Sequence, residues 1–358
     1  MEKHKEQSLN ERLVKRFAFD TSLKPPFPVK NMMVELKRGC NHKCIFCACE
    51  KTTTISTEIS PKLLFRIMNE AYELGTRELG FYSVSEPFLC KSLEDYVHEA
   101  KQIGFEYVYV TTNGALATEE RLKEIIDNGI DSLKFSINAG TRETYNFIHG
   151  ADDFDKVIDR LKFCYEYRKT SINQFKLYIS YIVTRFNAHE VESFKDTYSE
   201  YCDYIAFCPL YDLGGLLPEV NTRMRPLSPP QYMLDYGISS KRTCNNLFDS
   251  IGVTSEGYLT ACGCADFQRY LIVGDLNTTS LYDAWYGEKF TELRKKYIED
   301  SLEGLQCYNC VYGKSEYFEP LNPEYATLIN MNDVFTERHL EARLDRFPEF
   351  RKFEGVSS

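Results

Sequence analysis

Long apolar runs, basic blocks and tryptophan are all scarce in this 358-residue chain, which has one tryptophan and six histidines. No stretch approaches the roughly 18 apolar residues of a membrane span. The opening "MEKHKEQSLNERLVKRF" also lacks the apolar centre of a signal peptide. Together these absences point to a soluble, cytoplasmic protein with no membrane partner. Lys and Arg number 43 against 53 Asp and Glu, a net charge of −10, so a nucleic-acid partner is disfavoured. What the chain does have is thirteen cysteines. In a reducing cytoplasm clustered thiols hold metal more often than they form disulfides.

The length exceeds the usual single-domain range unless the fold is barrel-like, so one large domain with a smaller one is expected. Six runs dense in β-branched, aromatic and apolar residues read as strands: 32–37, 77–83, 105–112, 132–137, 176–183 and 203–208. Amphipathic segments lie between them. "SPKLLFRIMNEAYELG" (60–75) carries a Ser cap, a Pro at the first helical position and a closing Gly, and "TEERLKEIIDNG" (118–129) has a Thr cap and a Gly stop. βα units in series imply a parallel sheet. With right-handed crossovers, six units curl into an open, partial (β/α)6 barrel of α/β class, whose functional groups gather at the carboxyl ends of its strands.

The loop after the first run is "RGCNHKCIFCACE" (38–50), in which Cys40, Cys44 and Cys47 form CxxxCxxC. Three thiolates in a short loop can bind three irons of a 4Fe-4S cube and leave the fourth open to a chelating small molecule. A zinc site would need a fourth ligand, for which His42 or Cys49 stands near. A redox pair of Cys44 and Cys47 would leave Cys40 unexplained.

With Phe46 just before the last cysteine, this motif and the six βα units from about 31 to 210 resemble the radical S-adenosylmethionine superfamily. The resemblance implies a 4Fe-4S cluster on Cys40, Cys44 and Cys47. Its open iron would be chelated by the methionine moiety of S-adenosylmethionine, which reduction cleaves to a 5′-deoxyadenosyl radical. It also implies a flavodoxin- or ferredoxin-type electron donor. "SVSEP" stands where the family has a GGEP-like turn, so Glu86 resembles the residue that takes the methionine amino group, although Val84 and Ser85 replace both glycines. The third and fourth strands end in "TTNG" and "SIN". Asn113, Ser136 and Asn138 are therefore candidate cofactor contacts, with Ser136 and Asn138 expected to alternate onto one side of the strand end.

A second group begins at Cys244, followed by twelve residues, Gly257, four residues and Cys262, and later by the CxxC of Cys307 and Cys310. "DSIGVTSEGYLTAC" reads as a hairpin that brings Cys244 and Cys262 together, and the CxxC could complete a four-thiolate site. A zinc ribbon would use hairpin thiolates in the same way. The arrangement resembles the SPASM or shortened "twitch" extension of the family, which implies a second 4Fe-4S cluster. Cys264 of "CGC" is a spare that could displace Cys262.

Four protein thiolates leave no open iron, so such a cube moves electrons or holds the lid of the active site. Similar enzymes include aminocyclitol dehydrogenases, carbohydrate epimerases and ribosomal-peptide maturases. The segment 1–30 is too short for the leader-binding domain many maturases carry, so a sugar or cyclitol substrate, free or nucleotide-linked, is the expectation. Peptide maturation is one alternative and a zinc-stabilised, non-enzymatic binding module another. The expected divisions are an N-terminal extension (1–30), the barrel (31–210), a linker (211–239), the auxiliary domain (240–315) and a tail (316–358) holding an amphipathic helix in "FTERHLEARLDRF". The linker passes the barrel mouth, making Tyr211, Asp212, Arg223 and Arg225 candidate substrate contacts. Cys208, ending the sixth strand, is the candidate hydrogen-atom donor. Cys90 and Cys164 are expected to be buried small hydrophobes.

Overall fold

A computed structural model of the chain describes residues 21–27, 29–49, 56–217, 220–227, 243–327 and 338–354. Most of the N-terminal extension, parts of the linker and the start of the tail helix lie outside the described residues. The six expected strands are present as β1 (Asn31–Val34), β2 (Glu78–Phe81), β3 (Tyr107–Thr112), β4 (Ser132–Ser136), β5 (Lys176–Val183) and β6 (Tyr204–Pro209). Crossing between them are α1 (Pro61–Glu73), α2 (Leu93–Ile103), α3 (Glu119–Asp127), α4 (Arg142–His149), α5 (Phe154–Arg168) and α6 (Val191–Tyr198). The caps read from sequence are made: Ser60 Oγ accepts from the Leu63 amide at 3.3 Å, and Thr118 Oγ1 from the Arg121 amide at 3.4 Å.

All neighbouring pairs from β1 to β6 are parallel. Period-two alternation gives the sheet two unlike faces. Val108, Val110, Leu133, Phe135, Leu177 and Ile179 are buried in the core that also holds Leu64 and Ile67 of α1, Val97 of α2 and Leu122 of α3. Their alternates, among them Tyr109, Lys134, Ser136 and Ser180, face the other way, into the hollow of the open barrel.

The extension does more than append a unit. Its first strand, β7 (Ser250–Val253), pairs in parallel with β1, and β8 (Tyr258–Thr260) and β9 (Ile272–Asp275) follow antiparallel, giving the order β6-β5-β4-β3-β2-β1-β7-β8-β9. The expected hairpin is thus β7–β8. It covers the edge β1 would otherwise expose, and the Glu35 amide donates to Val253 O at 2.9 Å to extend the pairing. The sheet stays open, with β6 and β9 at its edges. Four further helices, α7 (Asn246–Asp249), α8 (Leu281–Trp285), α9 (Glu288–Ile298) and α10 (Gln306–Tyr312), accompany the hairpin, and α11 (Arg338–Arg346) lies in the tail. Cys90 and Cys164 are fully buried, as expected.

Gly80 of β2 faces the Tyr109 ring, and a Cβ there would lie 2.4 Å from Tyr109 Cζ. That ring cannot swing aside without losing the 2.7 Å bond from its hydroxyl to Asn31 Oδ1. Gly80→Ala is therefore expected to destabilise the protein by about 1–3 kcal/mol, read as a lower denaturation midpoint.

Candidate functional site

The cysteine loop leaves the carboxyl end of β1 and is held by backbone bonds from two directions. The amides of Lys43 and Ile45 donate to His149 O and Ile148 O, both at 2.9 Å, tying the loop to the last turn of α4. On the other side the Glu86 amide donates to Gly39 O at 2.9 Å. Ile45 and Phe46 are buried in an apolar cluster with Phe147, Phe186 and Leu210, so Phe46 is packed into the wall of the loop. The thiols of Cys40, Cys44 and Cys47 are half-buried residues with their sulfurs turned inward. The His42 amide lies 3.4 Å from Cys40 Sγ, the Cys49 amide 3.5 Å from Cys47 Sγ and Asn113 Nδ2 3.7 Å from Cys40 Sγ, so each of these two sulfurs has a polar hydrogen aimed at it.

Burial pushes all three thiols up, Cys47 to about 12, and repulsion from neighbouring cysteines adds to it. Thiolates persist here only beside a cationic partner. Among the described residues His42, Cys44 and His149 bring three ligand atoms within 4.8 Å of one another.

His42 is not turned toward the other cysteines. Its Nδ1 lies 3.2 Å from His149 Nδ1 and its Nε2 3.2 Å from Asp153 Oδ2, while His149 Nε2 is 2.7 Å from Ile137 O and His149 Nδ1 is 3.5 Å from Cys44 Sγ. Burial, and then the His42 charge, lower His149 to about 3, so it is neutral at physiological pH. Nothing in the sequence marks this pair, because a histidine before a helix-ending glycine is ordinary C-terminal chemistry. Cys49 is buried beside the loop in a third cluster, with Phe267 and Phe318.

Glu86 lies in the turn that follows β2 and is 3% exposed. Its carboxylate accepts from Thr112 Oγ1 at 2.6 Å, the Asn113 amide at 2.8 Å and the Phe88 amide at 3.1 Å. Burial raises its pKa, and these bonds act against the rise. Three acceptor positions of the carboxylate are filled and one remains. Asn113 is buried, its amide also donating to Asn41 Oδ1 at 2.9 Å.

The expectation for Ser136 and Asn138 needs correction. β4 ends at Ser136, whose hydroxyl meets Ser180 Oγ at 3.0 Å on the inner face. Asn138 has a left-handed backbone, φ 56°, which ends the alternation. Its Oδ1 accepts from the Ile182 amide at 2.7 Å and its carbonyl from Asn187 Nδ2 at 2.8 Å. It clips β4 to the end of β5 while Ser136 lines the barrel.

Cys208 lies on the inner face opposite Ile182, while its neighbour Phe207 packs toward the core. Burial raises its thiol, and the charge of Lys134 acts the other way, so it carries a proton at neutral pH. Of the linker residues, Tyr211 is exposed, and Asp212 is buried with Oδ1 accepting from the Gly214 amide at 3.2 Å. Arg223 is not at the mouth in a substrate-ready form: it pairs with Glu341 and Glu354 of the tail. Arg225 donates its amide to Val220 O within its own turn.

At the second group, Cys244 precedes α7, Cys262 follows β8, and Cys307 and Cys310 stand one turn apart on α10. Cys244, Cys262 and Cys307 are pushed up by burial, and the charges acting on them come from one another, from Cys264 and Cys310 and, for Cys307, also from Asp266. Five thiols therefore converge. Asn246 Nδ2 sits 3.7 Å from Cys262 Sγ and 3.9 Å from Cys264 Sγ, so the spare is beside the site, and Cys264 is exposed. Gln306 Nε2 donates to Ala265 O at 2.9 Å and Leu213 O at 3.0 Å, fixing α10 to the CGC loop and to the linker.

Glu86→Gln would set an amide N–H₂ against the Asn113 or Phe88 donors. It is expected to cost about 1–3 kcal/mol of stability and to weaken S-adenosylmethionine binding, measured by denaturation and equilibrium dialysis.

Comparison with known proteins gives the same picture. The model of the radical SAM superfamily matches residues 34–197, and that of SPASM, an iron-sulfur cluster-binding domain, matches 244–311. The structure of BtrN in complex with AdoMet and 2-DOIA covers 82% of this chain and 98% of its own at 21% identity and TM-score 0.54. Streptococcus suis SuiB bound to precursor peptide SuiA covers 89% and 82% at 16% identity and TM-score 0.57; both show likeness of fold. A probable GTP 3′,8-cyclase of Saccharolobus solfataricus is 28% identical over 167 residues, 47% of this chain and 52% of that protein. The chain thus spans about half the length of the curated relatives it matches. With both cysteine sets inside the matched residues, the chain carries a radical S-adenosylmethionine superfamily domain over 34–197 and a SPASM domain over 244–311, which imply S-adenosylmethionine and 4Fe-4S clusters as cofactors.

Proposed function

We propose that this enzyme abstracts hydrogen from a carbon of a sugar or cyclitol and carries the resulting radical to an oxidised or an epimerised product. The observation that supports this reading is the polarity of the barrel's inner face. Tyr109, Ser136, Tyr178 and Ser180 line it with hydroxyls, and Lys134 adds an ammonium 5.9 Å from the Tyr82 ring. Such a wall suits a ligand dense in hydroxyl groups, with an anionic substituent where it is nucleotide-linked. BtrN, of which the chain spans 98%, is a protein seen with AdoMet and 2-DOIA.

Bound S-adenosylmethionine and its cluster supply the adenosyl radical. Cys40, Cys44 and Cys47 would hold that cluster, Glu86 would take the methionine amino group, and Cys244, Cys262, Cys307 and Cys310 would hold an auxiliary cluster. Cys208 is the branch point. As a protonated thiol on the inner face it would give a hydrogen atom to the substrate radical, inverting the carbon. One electron from the flavodoxin- or ferredoxin-type donor and one solvent proton would then restore the thiol. Without that donation the radical would lose its hydroxyl proton, pass an electron to the auxiliary cluster and leave a ketone.

Anaerobically reconstituted protein is expected to hold two 4Fe-4S clusters, about eight irons per chain. Alanine at Cys40, Cys44 and Cys47 should abolish S-adenosylmethionine cleavage, whereas alanine at Cys307 and Cys310 should retain part of it and lose product. Equal cleavage in both variants would refute the assignment. With sugars, cyclitols and their nucleotide conjugates as substrates in deuterium oxide, wild type should place deuterium on the inverted carbon. Cys208→Ala should form 5′-deoxyadenosine without epimer. A deuterium-free ketone from both proteins would remove the donor role and leave dehydrogenation. Turnover of peptides alone would sink the sugar reading.

A further inference from the structure

The tail that follows the auxiliary domain folds back onto the first cysteine loop. Leu340 and Leu344 of α11 and Phe350 beyond it are buried in the same cluster as Ile45 and Phe46. Phe350 stacks on Phe147 of α4, centroids 4.1 Å apart and planes 8° from parallel. From the buried side of α11, Arg343 sends its guanidinium between the loop and α4. Nη2 donates to Lys43 O at 3.0 Å and Nη1 to Asn146 O at 2.9 Å. The first bond joins residues 300 apart in sequence. Gly150, left-handed at φ 69°, makes the room: a Cβ there would lie 2.4 Å from Arg343 Nη2.

The two carbonyls belong to strands of chain that already bond one another, since the Lys43 amide donates to His149 O. Arg343 therefore closes a ring of hydrogen bonds around the turn that presents Cys44, and a planar fork suits two fixed carbonyls in a way a single ammonium does not. The Lys43 carbonyl belongs to the peptide that joins Lys43 to Cys44, so the guanidinium charge sits against the backbone of that cysteine. A fixed cation beside a cluster thiolate favours the reduced, more negative state.

We propose that Arg343 is a positioning residue for the first cluster: by bridging Lys43 O and Asn146 O and holding its charge beside Cys44, it makes retention of that cluster and its ease of reduction depend on the tail. The proposal does not rest on the identity of the substrate.

The test uses the full-length, anaerobically reconstituted protein without substrate. S-adenosylmethionine perturbs the electron paramagnetic resonance signal of the cluster with an open iron, which tells the two clusters apart. In Arg343→Gln, the ratio of reduced to oxidised first cluster at a fixed solution potential should fall about threefold, with the auxiliary cluster unchanged. Arg343→Lys keeps the charge and loses the fork. It should hold the ratio within about twofold while iron of the first cluster passes to a chelator faster than in wild type. An unchanged ratio in the Gln variant together with unchanged iron loss in the Lys variant would overturn the proposal. So would iron loss from both clusters in step, which would mark Arg343 as a support of the whole fold.

Discussion

Three thiols, those of Cys40, Cys44 and Cys47, have to be held away from water on one short loop, and the elements around that loop are arranged to anchor it. The loop that carries them starts from β1, which pairs with β2 on one side and β7 on the other. Its origin is therefore an interior strand, not an edge. Its middle is tied by the Lys43 and Ile45 amides to the end of α4, and its start by Gly39 O to Glu86. A short loop so anchored spends its conformational entropy on folding and not on metal capture.

The same strand pairing joins the two halves. Where β1 runs on toward the loop, Glu35 and Arg38 enter a buried ionic group with Glu256 and Arg269 of the extension. Arg269 pairs with Glu35, and with Glu256 at 3.0 Å; Arg38 Nη1 lies 3.2 Å from Glu256, and its Nη2 donates to Phe267 O at 2.9 Å. Removing one member of such a group strands its partners, a loss of about 3–5 kcal/mol. Desolvation lowers Arg38, and the nearby Arg269 adds to it, with the two glutamates opposing. The linker seals the seam from the other side. Leu217 joins the cluster over Phe46, and Leu216 the cluster beside Cys49, so one turn of chain touches the surroundings of the first cluster while Gln306 fastens it to α10.

Around the first loop the buried polar groups are met by fixed partners. Glu86 is satisfied by three donors yet keeps one acceptor position. His42 sits between Asp153 and His149. Arg343 adds a cation from a helix that is otherwise held by apolar packing and by ion pairs of Glu341 with Arg223 and Arg351 and of Asp345 with Arg351.

The fold and the two cysteine groups were legible in the sequence because they depend on local patterns. β-rich runs, Ser60 and Thr118 caps and the spacing of Cys40, Cys44 and Cys47 each act over a few residues, and the hairpin behind Cys262 announces itself through "SEG". Motif resemblance singled out Glu86. Other features were decided only when distant segments met. The pairing of β7 with β1, the left-handed turn that takes Asn138 off the inner face, the His42–His149 contact, the recruitment of Arg223 by the tail and the reach of Arg343 to Lys43 all join groups without local signature. A periodicity can say which residues turn inward. It cannot say which carbonyl, 300 residues away, will be waiting there, because that choice is made by packing of the whole chain.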